Sequence, residues 1–246
     1  MAKIIVSYDD TDNDRDALAL GRVLGELGGD ISLAYVRHTQ QPDSAREALE
    51  EKEAEELLEH GAEALGDEKA PRHVVVHAST GAGLWELAES EKAELIVFGS
   101  DYRTARGAVM PQRSAERLLS GGSVAVALAP ADFRTRPQRV GRIGVLDGEG
   151  DEAPVATAGA LAGTLGATLT DPGDGPVDLL VVGSRDGAPA GRLELSAAAE
   201  YAIETAYSPV LAVPRERPLE LGCEAVEPLS VEALAVADGS RPSGST

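Results

Sequence analysis

Short apolar runs alternate along this chain with longer stretches in which apolar positions return every third or fourth residue. Residues 3–8 (KIIVSY) are rich in Ile and Val and end at DDTDND, which supplies turn and helix-capping chemistry. From Arg15 onward, Ala17, Leu20, Gly21, Leu24 and Leu27 fall at helical spacing, and Gly28-Gly29 stops the helix. A second strand follows at residues 31–36. Residues 44–65 predict a long helix with Ala54, Leu57, Leu58, Ala62 and Leu65 inward and a charged face in water. Then HVVVHAS reads as a strand, GLWELAESEKA as a helix, ELIVFGS as strand four, residues 115–119 as a short helix and SVAVALAP as strand five. Strands alternating with helices in this way predict an open, doubly wound, Rossmann-like α/β domain with a parallel sheet covered on both faces.

The pattern then repeats. Gly99, Ser100, Gly107, Ala115, Glu116 and Pro130 recur as Gly183, Ser184, Gly191, Ala199, Glu200 and Pro214, all at an offset of 84 residues. Nearer the start of each half, Gly21, Gly25 and Gly28 recur as Gly159, Gly163 and Gly166 at an offset of 138, so the second copy is 54 residues shorter. An internal duplication predicts two open sheets, the second without strand three and two helices. The expected organisation is a full domain over residues 1–132, a linker over 133–141, an abbreviated domain over 142–215, and a largely disordered extension over 216–246. Pairing of the two fifth strands, residues 124–128 beside 210–213, would bury both exposed edges and make an internal pseudo-dimer.

A net charge of −20 disfavours nucleic acid and anionic membrane surfaces as partners. No apolar run is long enough to span a bilayer, and Asp9 and Asp10 interrupt the first apolar stretch too early for a signal peptide, so the expectation is a cytoplasmic protein. The single cysteine, Cys223, excludes an intrachain disulfide framework and reads as a bystander. His38, His60, His73 and His77 have no partner at catalytic or metal-ligand spacing, and Trp85 sits at core spacing with Leu84 and Leu87. The acids of DDTDND lack the glycine and closing glutamate of a calcium loop.

Against that acidic background, Arg103, Arg106 and Arg113 gather in the loop after Gly99-Ser100, with Gly107 relaxing the loop and Ser114 opening the next helix. Guanidinium groups near a helix start invite an anion. The competing reading pairs these arginines with surface carboxylates, which are in large excess. Asp9, after strand one, equally suits a helix cap.

The opening IIVSYDD, the GS after strand four, the SAERLL helix and the closing VAVALAP, echoed by SPVLAVP, together resemble the universal stress protein family in its tandem two-domain form. The resemblance runs to about Arg215. It implies sheets in the order 3-2-1-4-5 and, in many members, ATP bound where strands one and four diverge. It would set Asp9 at the ribose or base and Val36 at the adenine. The family's ATP motif is a glycine, two residues, a second glycine, nine residues, a third glycine, then serine or threonine. Gly99 fits the first position, but Tyr102, Gln112 and Arg113 stand at the others; in the second half Gly183 fits, while Asp186, Ser196 and Ala197 do not. The expectation is therefore a non-enzymatic regulatory module that binds ATP weakly, in the first half only. An ATP-binding or slowly hydrolysing protein and a ligand-free interaction platform stand as alternatives.

Overall fold

In the computed structural model, which describes residues 2–38, 43–148 and 150–221, the anticipated alternation is present. Strand β1 (Lys3–Ser7) leads to α1 (Asp12–Gly25), β2 (Asp30–Arg37), α2 (Ser44–Leu65), β3 (Arg72–Val76), α3 (Thr80–Glu91) and β4 (Leu95–Gly99). After these come α4 (Arg113–Leu119), a short β5 (Ser120–Gly122) and β6 (Ala125–Ala129). The second half runs β7 (Arg142–Leu146), α5 (Ala153–Leu165), β8 (Thr168–Thr170), β9 (Leu179–Val182), β10 (Leu193–Glu194), α6 (Ala197–Glu204) and β11 (Val210–Ala212).

The two expected sheets are joined into one. Among the described residues, nine strands lie in the order β3-β2-β1-β4-β6-β11-β9-β7-β8. The seam is antiparallel, with Val210 opposite Leu128, Leu211 opposite Ala127 and Ala212 opposite Val126. Every other pairing in this sheet is parallel. Strands β4, β6, β9 and β11 are buried along their whole length, which is why they read as continuous apolar runs without alternation. One face of the sheet packs against α1, α2 and α5. The other packs against α3, α4 and α6.

Local chemistry differs from expectation at three places. Helix α1 starts at Asp12, three residues before Arg15, and its cap is Thr11, not Asp9: Thr11 accepts from the Asp14 amide while Asp14 accepts from the Thr11 amide. The expected linker is a docked segment. Its Phe133 is buried, and the carboxylate of fully buried Asp16 on α1 accepts from the amides of Asp132 at 2.8 Å and Arg134 at 2.9 Å, with the Arg134 guanidinium 3.1 Å away. Residues 216–221, expected to open a disordered extension, also pack: Leu219 and Leu221 are buried, and the Leu219 amide donates to Thr157 Oγ1 at 2.9 Å. Cys223 and the rest of the expected extension lie outside the described residues. A small ribbon, β5 with β10, has no counterpart in the sequence pattern and ties the halves together a second time.

Asp16 is thus a buried charge held by one guanidinium and two amides. Asp16→Ala leaves both amides without their acceptor, while Arg134 keeps its contacts with Asp12, and should lower unfolding free energy by about 2–4 kcal/mol in urea titrations. A loss near zero would mean that the segment after β6 is not anchored through this carboxylate.

Candidate functional site

The strand order reverses at β1, so the loops leaving the carboxyl ends of β1 and β4 splay apart and open a cleft between them. The cleft encloses about 570 Å³. Its walls are Asp9 from the first loop, Asn13 in the first turn of α1, Ser79 to Gly81 at the start of α3, Asp101 to Arg103 after β4, and Gln112 to Ser114 entering α4. Three helix starts therefore face one space, a placement that favours negative charge.

Of the residues expected to form a site, Asp9, Arg103, Arg113 and Ser114 come together in this cleft. Gly99 and Ser100 lie beneath it and are structural. A Cβ on Gly99 would stand 2.1 Å from the Asn13 carbonyl oxygen, so this glycine lets α1 approach β4 and is not open to a ligand. Ser100 is fully buried, and its hydroxyl donates to the Ala129 carbonyl at 2.7 Å. The other three expected residues lie elsewhere. Arg106 turns away to pair with Asp132, whose carboxyl it holds below the ordinary range. Gly107 sits at a φ of 85°, where a side chain would run into Arg136. Val36 is buried on β2 opposite Val75 of β3 and does not line the cleft.

Several lining residues escaped the sequence reading. Asn13 donates to the Ser100 carbonyl at 2.7 Å and Gln112 donates to the same oxygen at 3.4 Å, which braces both sides of the cleft on one atom. Gly81 is needed because a Cβ there would stand 2.5 Å from the Ser114 carbonyl oxygen, where α3 meets α4. The run of small residues in ASTGAG was the available signal for this approach.

Charge in the cleft is mixed. Arg103 stacks on the Tyr102 ring, 4.9 Å from its centroid, and donates to the Tyr102 hydroxyl at 2.7 Å. Neither Arg103 nor Arg113 forms an ion pair with a carboxylate among the described residues. Opposite them stand Asp9 and Asp14, whose carboxyls burial pushes above the ordinary value. Below, Tyr8 packs on α2 and donates to Asp10 at 2.8 Å; burial and then Asp10 push its phenol up to about 12.

The mouth of the second half is built differently. Gly148 rests on Ser184, where a Cβ would lie 2.5 Å from the carbonyl oxygen, and Pro154 packs on Gly183. The shallow hollow left outside is lined by Asp147, Asp151 and Glu152, with no cation. Among the described residues, no group of three or more His, Cys, Asp or Glu is arranged to hold a metal ion. His77 instead spends its Nδ1 on the turn at Ser79.

Two measurements test these assignments. Gly99→Ala should destabilise the fold by about 1–3 kcal/mol, as overpacking does, whereas Gly163→Ala on the open face of α5, where nothing lies within 4 Å, should stabilise it by about 0.5–1 kcal/mol. Equal effects at the two sites would contradict the packing described. For Tyr8, the folded chain keeps its phenolic proton up to about pH 12, while the unfolded chain releases it near the ordinary 10.0. This contribution to stability is complete below pH 10 and is lost as pH rises through about 12. Urea titrations across that window should show wild type losing stability relative to Tyr8→Phe; parallel curves would mean that Tyr8 titrates normally.

The sequence model of the universal stress protein family matches residues 1–130, more than half of the 246-residue chain. Universal stress proteins of Mycobacterium bovis and Mycobacterium tuberculosis are 35% identical to it over 71 residues, which is 29% of this chain; the chain thus spans only 24% of the length of those relatives. Among solved structures, a universal stress protein from Archaeoglobus fulgidus superposes with a TM-score of 0.63 at 16% identity, covering 87% of this chain and 98% of its own. A structure from Pseudomonas aeruginosa described as a universal stress protein gives 0.58 at 16% identity, covering 88% and 94%. At that identity the likeness is one of fold, and its coverage extends well past residue 130 into the second half. With the family match over the first half and the open sheet with its cleft where β1 and β4 part, this chain belongs to the universal stress protein family.

Proposed function

We propose that the chain is a tandem of two universal stress protein units, the second abbreviated, acting in the cytoplasm as a non-enzymatic regulatory module whose first unit binds ATP weakly. The observation that carries this reading is the pair of guanidiniums, Arg103 and Arg113, without carboxylate partners among the described residues and set in a cleft at the sheet's switch point. Each well-formed charge-assisted bond to a phosphate contributes about 1.5–3 kcal/mol. Against them act Asp9, Asp14 and Asp101 in the same lining, and a net charge of −20. Tyr102 and Gln112 replace the glycines through which backbone amides would close on the phosphates. These opposing contributions are comparable, which is why the binding is weak and sensitive to salt. The second unit, with its three-carboxylate mouth, takes no nucleotide.

A second reading, slow ATP hydrolysis, draws support from Asp9, whose raised pKa and place across from the arginines suit a group that exchanges a proton. A ligand-free interaction platform is the remaining alternative.

Calorimetric titration of ATP at low and high salt separates these readings. Wild type should bind weakly and lose affinity with salt. Arg103→Ala with Arg113→Ala should weaken binding by about tenfold or more, since the loss of even one charged bond is worth that much, while Arg106→Ala, outside the cleft, should change little. Tight binding that ignores salt and the double substitution would place the site elsewhere. No binding at any salt would select the platform, and phosphate release under the same conditions would select the hydrolase.

A further inference from the structure

Where the halves meet, the sheet carries a second hollow, on the face opposite α1 and α5. It is a groove of about 790 Å³ between α4 and α6, directly above the β6–β11 seam. Its floor is apolar: Leu119 and Ile203 close it from below and are themselves buried, Pro111 and Leu195 lie half-buried beside them, and Met110 stands 49% exposed along its edge. Its charged lining consists of Glu116, Glu200 and Glu204, with no Lys, Arg or His. None of these glutamates forms an ion pair among the described residues.

The two walls are matched. Glu116 and Glu200 are 84 residues apart, as are Leu119 and Ile203, and each pair faces itself across the groove. The halves are also stitched together twice beside it, by the Val109 amide on the Ala206 carbonyl and by Leu193 opposite Gly122. Adding 84 to 109 gives 193 and subtracting it from 206 gives 122, so these two stitches are equivalent. The groove is therefore a product of the junction, belongs to neither half alone, and is continuous with the seam that holds the halves together.

We propose that this groove docks a short basic segment of a partner protein, one that places apolar side chains on the floor and Lys or Arg against the glutamates. Charge complementarity decides the class of occupant. An apolar trough rimmed by unpaired carboxylates on a chain of net charge −20 repels acidic segments and a second copy of this chain, and attracts cations over long range. The walls set its length: α4 has 7 residues and α6 has 8, which at about 1.5 Å per residue give room for roughly two helical turns. Anchors spaced at i and i+3 or i+4 meet that requirement. The inference does not depend on nucleotide, because none of these lining residues borders the β1–β4 cleft.

The test uses the full chain and a labelled amphipathic peptide of leucine and lysine, with a glutamate-for-lysine version and a serine-for-leucine version as controls. Fluorescence anisotropy should show binding of the first alone. Glu200→Lys with Glu204→Lys should lower affinity by about tenfold or more, as loss of close charge pairs does at interfaces. Glu55→Lys with Glu59→Lys, on the exposed face of α2, changes the net charge equally and should lower it far less. Both doubles lie at exposed helix positions, and hydrogen exchange on wild type should show peptide-dependent protection in α4 and α6. Equal weakening by the two doubles would reduce the effect to bulk charge and overturn the proposal. So would protection confined to other elements, equal binding of the acidic or serine peptide, or no binding at all.

Discussion

The antiparallel contact between β6 and β11 is the constraint from which most of this molecule follows. Among the described residues the second half places β7, β8, β9 and β11 in the sheet with two α-helices, which is small for an independent domain, and alone it would present β11 as an apolar open edge. Paired with β6, Val210, Leu211 and Ala212 are fully buried, and the smaller half completes a sheet shared with the larger one. The contact extends beyond the strands. Arg192 of the second half lies 5.3 Å from the Trp85 ring centroid and donates to the Gly121 carbonyl, while Arg217 donates to the Ser123 carbonyl at 2.9 Å. Placing β6 beside β11 also sets α4 beside α6 and so creates the groove.

The halves differ in chemistry because they differ in covering. In the first, α1 is closed against its strands so tightly that a Cβ on Gly21 would meet Val6 at 2.8 Å and one on Gly25 would meet Ile31 at 2.4 Å. The matching Gly159 and Gly163 of α5 have nothing within 4 Å. The same glycine spacing thus answers a packing demand in one half and none in the other. At the sheet's carboxyl end the contrast runs the same way: β1 and β4 part around a cleft lined by two guanidiniums that pair with no carboxylate among the described residues, while Gly148 and Ser184 bring the loops after β7 and β9 together, and the charged groups lining the hollow outside are Asp147, Asp151 and Glu152.

This contrast explains what could and could not be read from sequence. Buried parallel strands advertise themselves as continuous apolar runs, and the shared offset of 84 residues predicts that the strands ending at Gly99 and Gly183 do the same job, so the strands and the seam were legible, while their order came from the family resemblance. The Asp16 clamp was not, because its partners lie 116 and 118 positions away in a segment with no period. The ribbon of β5 and β10 was hidden for a related reason: SGG and LE are too short to carry alternation. Among the three arginines, proximity in sequence implied a shared task, yet loop geometry sends Arg106 to Asp132 and only Arg103 and Arg113 to the cleft. Gly99 looked like a ligand-facing turn because glycine serves close approach of any kind; only the position of Asn13 shows that the approaching group is a helix.

The loop between β4 and α4 borders both hollows, contributing Tyr102 and Arg103 to the cleft and Val109, Met110 and Pro111 to the groove. Its two arms are tied together near Ser100. The Asp101 amide donates to the Met110 carbonyl at 2.8 Å, the Met110 amide to the Ser100 hydroxyl at 3.3 Å, and the Arg103 amide to the Asp101 side chain at 2.9 Å. Asn13 and Gln112 close the bracing from either side. These bonds fix the loop backbone, so that its ordering is not a cost left to a binding event. The same cross-braces keep Met110 at the edge of the groove, and a single braced loop thereby borders two surfaces of different charge: a cleft of mixed sign that includes two arginines, and a groove whose charged lining is glutamate alone.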